Sequence, residues 1–179
     1  MLEYRKFTKE EIDLIVKNMI ILVDSREKAD TITKWMDYKN RVKYERMKLD
    51  NGDYSFYVKP IPELGIHEKL FFDKKVVVER KNSLDELSQN MVKHRTRFEE
   101  ELATFKGKMV ICVEDKWDNL FMGNYRSKYG RRAFISSVQT FEHRYGVVFK
   151  HMSAEAMPVF IYTYFEYYLK EVLKGSLYE

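Results

Sequence analysis

The chain of 179 residues has the length of one domain, enough to bury a core without disulfides or a structural metal. Its single cysteine, Cys112 in the apolar run MVICV, excludes an intrachain disulfide framework, and no stretch has the length and apolarity of a membrane span or the form of a signal peptide, so a cytoplasmic protein without a membrane partner is expected. A net charge of +4 with 34% charged residues is only mildly basic, so the total says little about nucleic acid and the distribution has to decide.

Apolar periodicity and turn residues alternate along the chain as in a layered α/β domain, with no repeat or low-complexity stretch. Residues 1–18 form a charged amphipathic segment ahead of the domain proper, 19–179. MIILV (19–23) reads as a first strand ending at Asp24, and Lys28 to Trp35 as a helix. YERMKL leads into NGDY, after which YSFYV resumes a strand. Pro60, Pro62 and Gly65 interrupt the pattern before KLFFDKKVVVE, read as one long strand or hairpin arm in a meander. Ser83 caps a single helix through LDELSQNMVKHRTRFEEELATF, with Glu86 completing a capping box. MVICVE (109–114) is the next strand, followed by a polar loop, a helix from about Ala133 to Tyr145, a short strand VVFKH and a final helix PVFIYTYFEYYLKEVL.

The run VVVERK holds the chemistry. Its β-branched residues suit a strand covered on both faces, where charge is costly unless paired or metal-bound. Residues i and i+2 share a face about 6.6 Å apart, so Glu79 and Lys81 face one site and Arg80 the other side. Asp53 adds a second carboxylate if its strand lies alongside, and Gly52 before it permits unusual backbone geometry. Two carboxylates on adjacent strand ends suit Mg²⁺ or Mn²⁺, and the lysine can orient water or stabilise charge on a phosphoryl oxygen, which is the equipment of phosphodiester hydrolysis. Alone, Glu79 and Lys81 would read as an ordinary ion pair at a strand end.

The succession VDSRE, NGDY and VERKNSLDEL resembles the nuclease domain of the XPF family of structure-specific endonucleases, whose signature is GD followed by ERKxxxD. The match is Gly52, Asp53, Glu79, Arg80, Lys81 and Asp85, with Asp24 and Arg26 in the upstream element. The resemblance implies a restriction-endonuclease-like three-layer α/β fold, a central mixed β-sheet flanked by α-helices, and metal-dependent DNA cleavage. It implies Asp53 and Glu79 as ligands of Mg²⁺ or Mn²⁺, Lys81 as the catalytic lysine, and Asp24 and Asp85 as supporting carboxylates near the metal. Arg26 and Arg80 would be structural or contact phosphate. Asp53 and Glu79 lie 26 positions apart, longer than the direct hairpin usual in the family, and the stretch from Pro60 to Lys69 accounts for the extension.

The expected substrate is branched, flapped or junction DNA in recombination, repair or replication, with no small-molecule substrate. The sequence stops after the nuclease domain, without the family's helix-hairpin-helix module, so a nuclease of little structure selectivity is the alternative. A non-catalytic DNA-binding subunit is a third, which the complete carboxylate set disfavours.

Outside the motif, NYRSKYGRRAF carries Arg126, Lys128, Arg131 and Arg132 without an acid and with Tyr125 and Tyr129 interleaved. Such a loop suits phosphates and stacked bases. Arg95 and Arg97 are further candidate phosphate contacts, although pairing with Glu99 and Glu101 on a solvated helix face is equally open. The four histidines lack ligand spacing and read as non-ligands, and Glu114 stays outside the core set. On the final helix Phe160, Tyr164, Phe165 and Tyr168 read as core, with any excess apolar face available to a homodimer.

Overall fold

The computed structural model describes residues 6–175. A seven-stranded mixed sheet runs through the centre, built from β1 (Met19–Asp24), β2 (Tyr44–Met47), β3 (Tyr54–Val58), β4 (Leu70–Phe71), β5 (Val76–Lys81), β6 (Lys108–Val113) and β7 (Val148–His151). Strand order is β2-β1-β3-β5-β6-β7, with the short β4 paired to β3. β3 is antiparallel to β1 and β5, whereas β2 runs parallel to β1 and β5, β6 and β7 run parallel to one another. The expected meander is therefore confined to β1, β3, β4 and β5. β2 lies at the outer edge, reached from β1 through the α2 crossover that a parallel neighbour needs, with Tyr44 packed against the core and the rest of that strand exposed.

Helices cover both faces. On one side α1 (Lys9–Lys17), α2 (Asp30–Asp37) and α7 (Met157–Leu173) bury Ile15, Ile32, Met36, Ile161, Phe165 and Leu169 against Ile21, Val23, Phe56, Val76 and Val78. On the other, α3 (Leu84–Val92), α4 (Arg95–Thr104), α5 (Trp117–Met122) and α6 (Arg131–Tyr145) pack Leu87, Phe98, Leu120, Phe134 and Phe141 onto Val77, Ile111 and Val113. Val76, Val77 and Val78 are all fully buried, alternating between the two layers as a doubly covered strand requires. This is the three-layer fold anticipated. The final helix also packs as expected, with Phe165 buried and Phe160, Tyr164 and Tyr168 against the same core.

Further elements differ from the sequence reading, the polar loop after β6 among them, since it carries the helix α5 with Leu120 buried. The long strand before Val76 is interrupted at Asp73–Lys75, where the amides of Lys75 and Val76 both donate to the Phe72 carbonyl and turn the chain. The single long helix is two, because the amides of Lys93 and His94 both donate to the Gln89 carbonyl and the helical path ends there. Leu84, Leu87, Met91, Phe98 and Leu102 stay in helical phase on either side of the break, so the apolar pattern gives little warning of it. What the pattern lacks is an apolar residue near position 94. A continuous helix would turn His94 or Arg95 toward the core, whereas the break lets the Arg95 guanidinium lie 5.2 Å from the Phe141 ring.

Ser83 caps α3 by accepting from the Glu86 amide at 3.2 Å, and the Glu86 carboxylate reaches back to the Asn82 amide, one residue earlier than in an ordinary capping box. Because α3 lies beside the signature strand, its first turn matters to the site. Ser83→Ala is expected to cost about 1 kcal/mol of stability, read as a lowered urea midpoint at unchanged slope.

Candidate active site

Asp24, Asp53, Glu79 and Lys81 come together at the ends of three adjacent strands. The join is made by main chain. The Asp24 amide donates to the Asp53 carbonyl at 2.8 Å and the Asp53 amide donates to the Val78 carbonyl at 2.9 Å, so one residue bridges β1 and β5. Its side chain continues the bridge, accepting from the Arg80 amide at 2.7 Å. Gly52 makes this approach possible: its φ is +69°, and a Cβ there would stand 2.7 Å from the Val77 Cβ. Strand alternation puts Asp53 on the same sheet face as Glu79 and Lys81, while Arg80 turns to the opposite face with Val76 and Val78.

Each charged group has a distinct environment. Lys81 and Glu79 form a 2.6 Å ion pair, both largely buried. Burial pulls the Lys81 pKa down, but Glu79 and Asp53 outweigh it and hold the ammonium protonated. Burial drives Asp53 up to about 8, reinforced by the Glu79 carboxylate. Glu79 is also raised by burial, against the pull of Lys81. In Asp24 burial is overcome by the Arg26 guanidinium and by the Leu49 and Arg26 amides, which hold the carboxyl below its usual range. Its oxygens accept four bonds, from the Arg26 amide and Nε at 2.7 Å, Arg26 Nη2 at 2.9 Å and the Leu49 amide at 2.7 Å. Asp24 is a staple between two loops, and Arg26 is its partner.

Arg80 is a second brace. Its Nε lies 2.8 Å from Glu114 and its Nη1 3.5 Å from Glu27, so it ties the loop after β1 to the end of β6. Glu27, within VDSRE, and Glu114 were not among the expected site residues. Their partner lies on a strand far from both in sequence, so only the run of charges hinted at them.

Asp85 sits elsewhere. It faces away from the carboxylates and accepts from the Ser127 amide at 2.6 Å and Arg126 Nε at 3.2 Å. The basic segment therefore does have an acid partner, supplied by α3. Its tyrosines are also engaged, since Tyr125 and Tyr129 lie 5.4 and 5.3 Å from the Phe134 ring and the Tyr129 hydroxyl meets Ser137 at 2.7 Å. They pack into the core rather than standing free for bases. Arg131 and Arg132 begin α6 rather than belonging to the loop, in a first turn where the helix dipole disfavours cations. Lys128 is exposed beside them. Arg95 and Arg97 pair with Glu99 and Glu101, each at 3.0 Å, and Arg97 also lines the rim of the carboxylate cleft. Of the histidines, His151 is pushed down to about 4 by burial and its ring lies 4.4 Å from Trp117.

The carboxylates open onto a cleft of about 510 Å³ between the strand ends and the α3–α4 pair. Among the described residues no three His, Cys, Asp or Glu side chains converge as a ready metal cage. Asp53 and Glu79 nonetheless fit a hard divalent cation: two buried carboxylates repel one another, and the cleft leaves room for the water and phosphate oxygens that complete such a shell.

The ERCC4 domain family matches residues 23–165, and the chain belongs to that family, with the XPF-type nuclease fold. Structures of XPF from Aeropyrum pernix, without and with DNA, superpose with a TM-score of 0.60 each, at 17% and 18% identity. They cover 85% and 84% of this chain, which spans 66% and 64% of theirs. At that identity the likeness concerns the fold. No curated protein matches the chain.

The raised pKa of Asp53 has a pH signature in metal-free protein. As pH rises from about 4 toward 8 the unfolded chain ionises first, so this group's contribution to stability falls across that window. Asp53→Asn removes the loss, and its melting temperature relative to wild type should climb from pH 5 to pH 8. Asp24 has the opposite sign: its contribution is present above the unfolded value of 3.8 and is lost as pH falls below it. A Gly52→Ala chain should be destabilised by roughly 1–3 kcal/mol in denaturant melts, from strain at positive φ and the clash with Val77.

Proposed function

We propose that the chain is a divalent-metal-dependent DNA endonuclease acting on branched, flapped or junction DNA. The observation that supports this most directly is the convergence of Asp53, Glu79 and Lys81 on one sheet face above an open cleft, in a family of nuclease domains. Bound between Asp53 and Glu79, Mg²⁺ or Mn²⁺ would supply Lewis acidity and an activated water. The residues themselves do the rest.

Lys81 enters the reaction as an ammonium, so it acts as a donor. It is placed to orient the attacking water or hold a non-bridging phosphoryl oxygen as negative charge develops, and Glu79 fixes its position. Asp53, held by the Arg80 amide, is among the residues that line the cleft. Asp24 and Arg80 contribute rigidity: one closes the loops after β1 and before β3, the other locks Glu27 to Glu114. Two chains related by a two-fold axis would suit a symmetric junction. The DNA-bound Aeropyrum pernix XPF has this fold, which supports DNA as the polymer.

The test is incubation of labelled duplex, flap, fork and four-way junction DNAs with protein and Mg²⁺ or Mn²⁺. Cleavage is expected to stop in chelator and in the Asp53→Ala and Glu79→Ala variants. Persistence in any of these removes the metal-nuclease reading, and equal cutting of all four DNAs favours the unselective alternative. Lys81→Ala should lower turnover by about 10²–10³ while changing DNA affinity little, since its charge matters most in the transition state. Equal losses of affinity and rate would make it a simple phosphate contact.

A further inference from the structure

The two flanks of α3 differ in charge. Leu84, Leu87 and Met91 face the sheet, while Glu86 and Asn90 line the carboxylate cleft. The opposite flank, through Ser88, Gln89 and Val92, forms the floor of a second groove of about 610 Å³ whose far wall is the segment from Arg126 to Tyr129. Among the described residues the cleft is lined by seven carboxylates against five Lys and Arg side chains. The second groove is lined by Lys93, Arg126 and Lys128 against one carboxylate, Asp85. That carboxylate is occupied with the Ser127 amide and Arg126, and the Arg126 side chain is still 94% exposed. Lys93 and Lys128 are exposed and have no carboxylate partner among the described residues.

A divalent cation would offset the excess of two carboxylates without making the cleft basic, so the cleft alone is a poor place for DNA to gain electrostatic affinity. The groove across α3 is suited to that work, and it is separated from the cleft by the width of one helix, about 10–12 Å. We propose that this groove binds the phosphate backbone of a DNA strand other than the one being cut, with α3 as the partition between the two. The inference rests on the endonuclease reading and gives the preference for branched DNA a physical source. One strand reaches the carboxylates, and a strand diverging from it lies on the basic side.

Site-specific crosslinking tests this, because Cys112, the chain's single cysteine, is buried and an introduced thiol is the accessible one. Val92→Cys reports the basic groove and Lys28→Cys the cleft, each carrying a photoreactive group. Both are made in a Glu79→Gln background so that forked DNA stays intact. The expected result is crosslinking of Lys28→Cys to the strand that wild-type protein cuts and of Val92→Cys to the other strand. In parallel, Lys93→Ala with Lys128→Ala should flatten the slope of log K against log salt by about 1.4–1.8 units and weaken forked DNA roughly 10- to 30-fold at 0.15 M salt. Crosslinking from Lys28→Cys alone, or from both sites to the cut strand, or an unchanged salt slope, overturns the proposal and leaves the endonuclease reading intact. No crosslink from either site overturns both.

Discussion

The structure depends on the double hydrogen bond of the Asp53 main chain, outward to Asp24 on one strand and to Val78 on the other. Without it three strands would merely end near one another. With it the carboxylate is fixed relative to Glu79 and Lys81 by backbone, which tolerates far less error than side-chain packing. The requirement falls on the residue before, where positive φ and the close approach of Val77, 2.7 Å from where a Cβ would stand, leave room for little besides glycine. The GD pair is thus one steric device, in which the first residue makes space for the second.

Charge is then sorted by the pleat. On one face Glu79 and Lys81 are held together in a partly dehydrated site, with Asp53 raised by proximity and burial. On the other, Arg80 spans Glu27 and Glu114, satisfying a guanidinium that would otherwise be costly to bury beside Val78. Three consecutive charged residues therefore do two jobs. Glu79 and Lys81 line the cleft, and the middle residue braces the strand ends that carry them.

The sheet, both helical layers and the strand-end carboxylates were legible in the sequence because they depend on local periodicity and on short motifs whose order follows the strands. The failures share a cause. The break at His94 is hidden because Leu84 through Leu102 keep a helical phase across it. The parallel placement of β2 follows from the α2 crossover that returns the chain to the start of β1, and no local signal in YERM expresses that. The family resemblance implied Asp85 as a supporting carboxylate, yet its partner comes from a loop some forty residues on, and Arg126 looked uncompensated because that partner is equally distant. Tyr125 and Tyr129 had the composition of a base-stacking loop but are claimed by Phe134. Side-chain pairings across long separations are a product of the assembled fold, and spacing along the chain does not contain them.

The main-chain bridge through Asp53 also sets how the molecule breathes. An amide shared between two neighbouring strands exposes itself to solvent only when those strands part, and they form the middle of the sheet. The Asp53 amide is therefore expected to belong to the last unit to open, with its hydrogen exchange tracking global unfolding. The segment around Ser127 lies outside the sheet's hydrogen-bond ladder and is held by the Asp85 carboxylate and by Tyr125 and Tyr129 against Phe134, so its amides are expected to exchange sooner than those of the strands. In the proposed nuclease, a firmly held centre beside a less tightly bonded margin would let a DNA strand settle against the protein without disturbing the groups that would cut it.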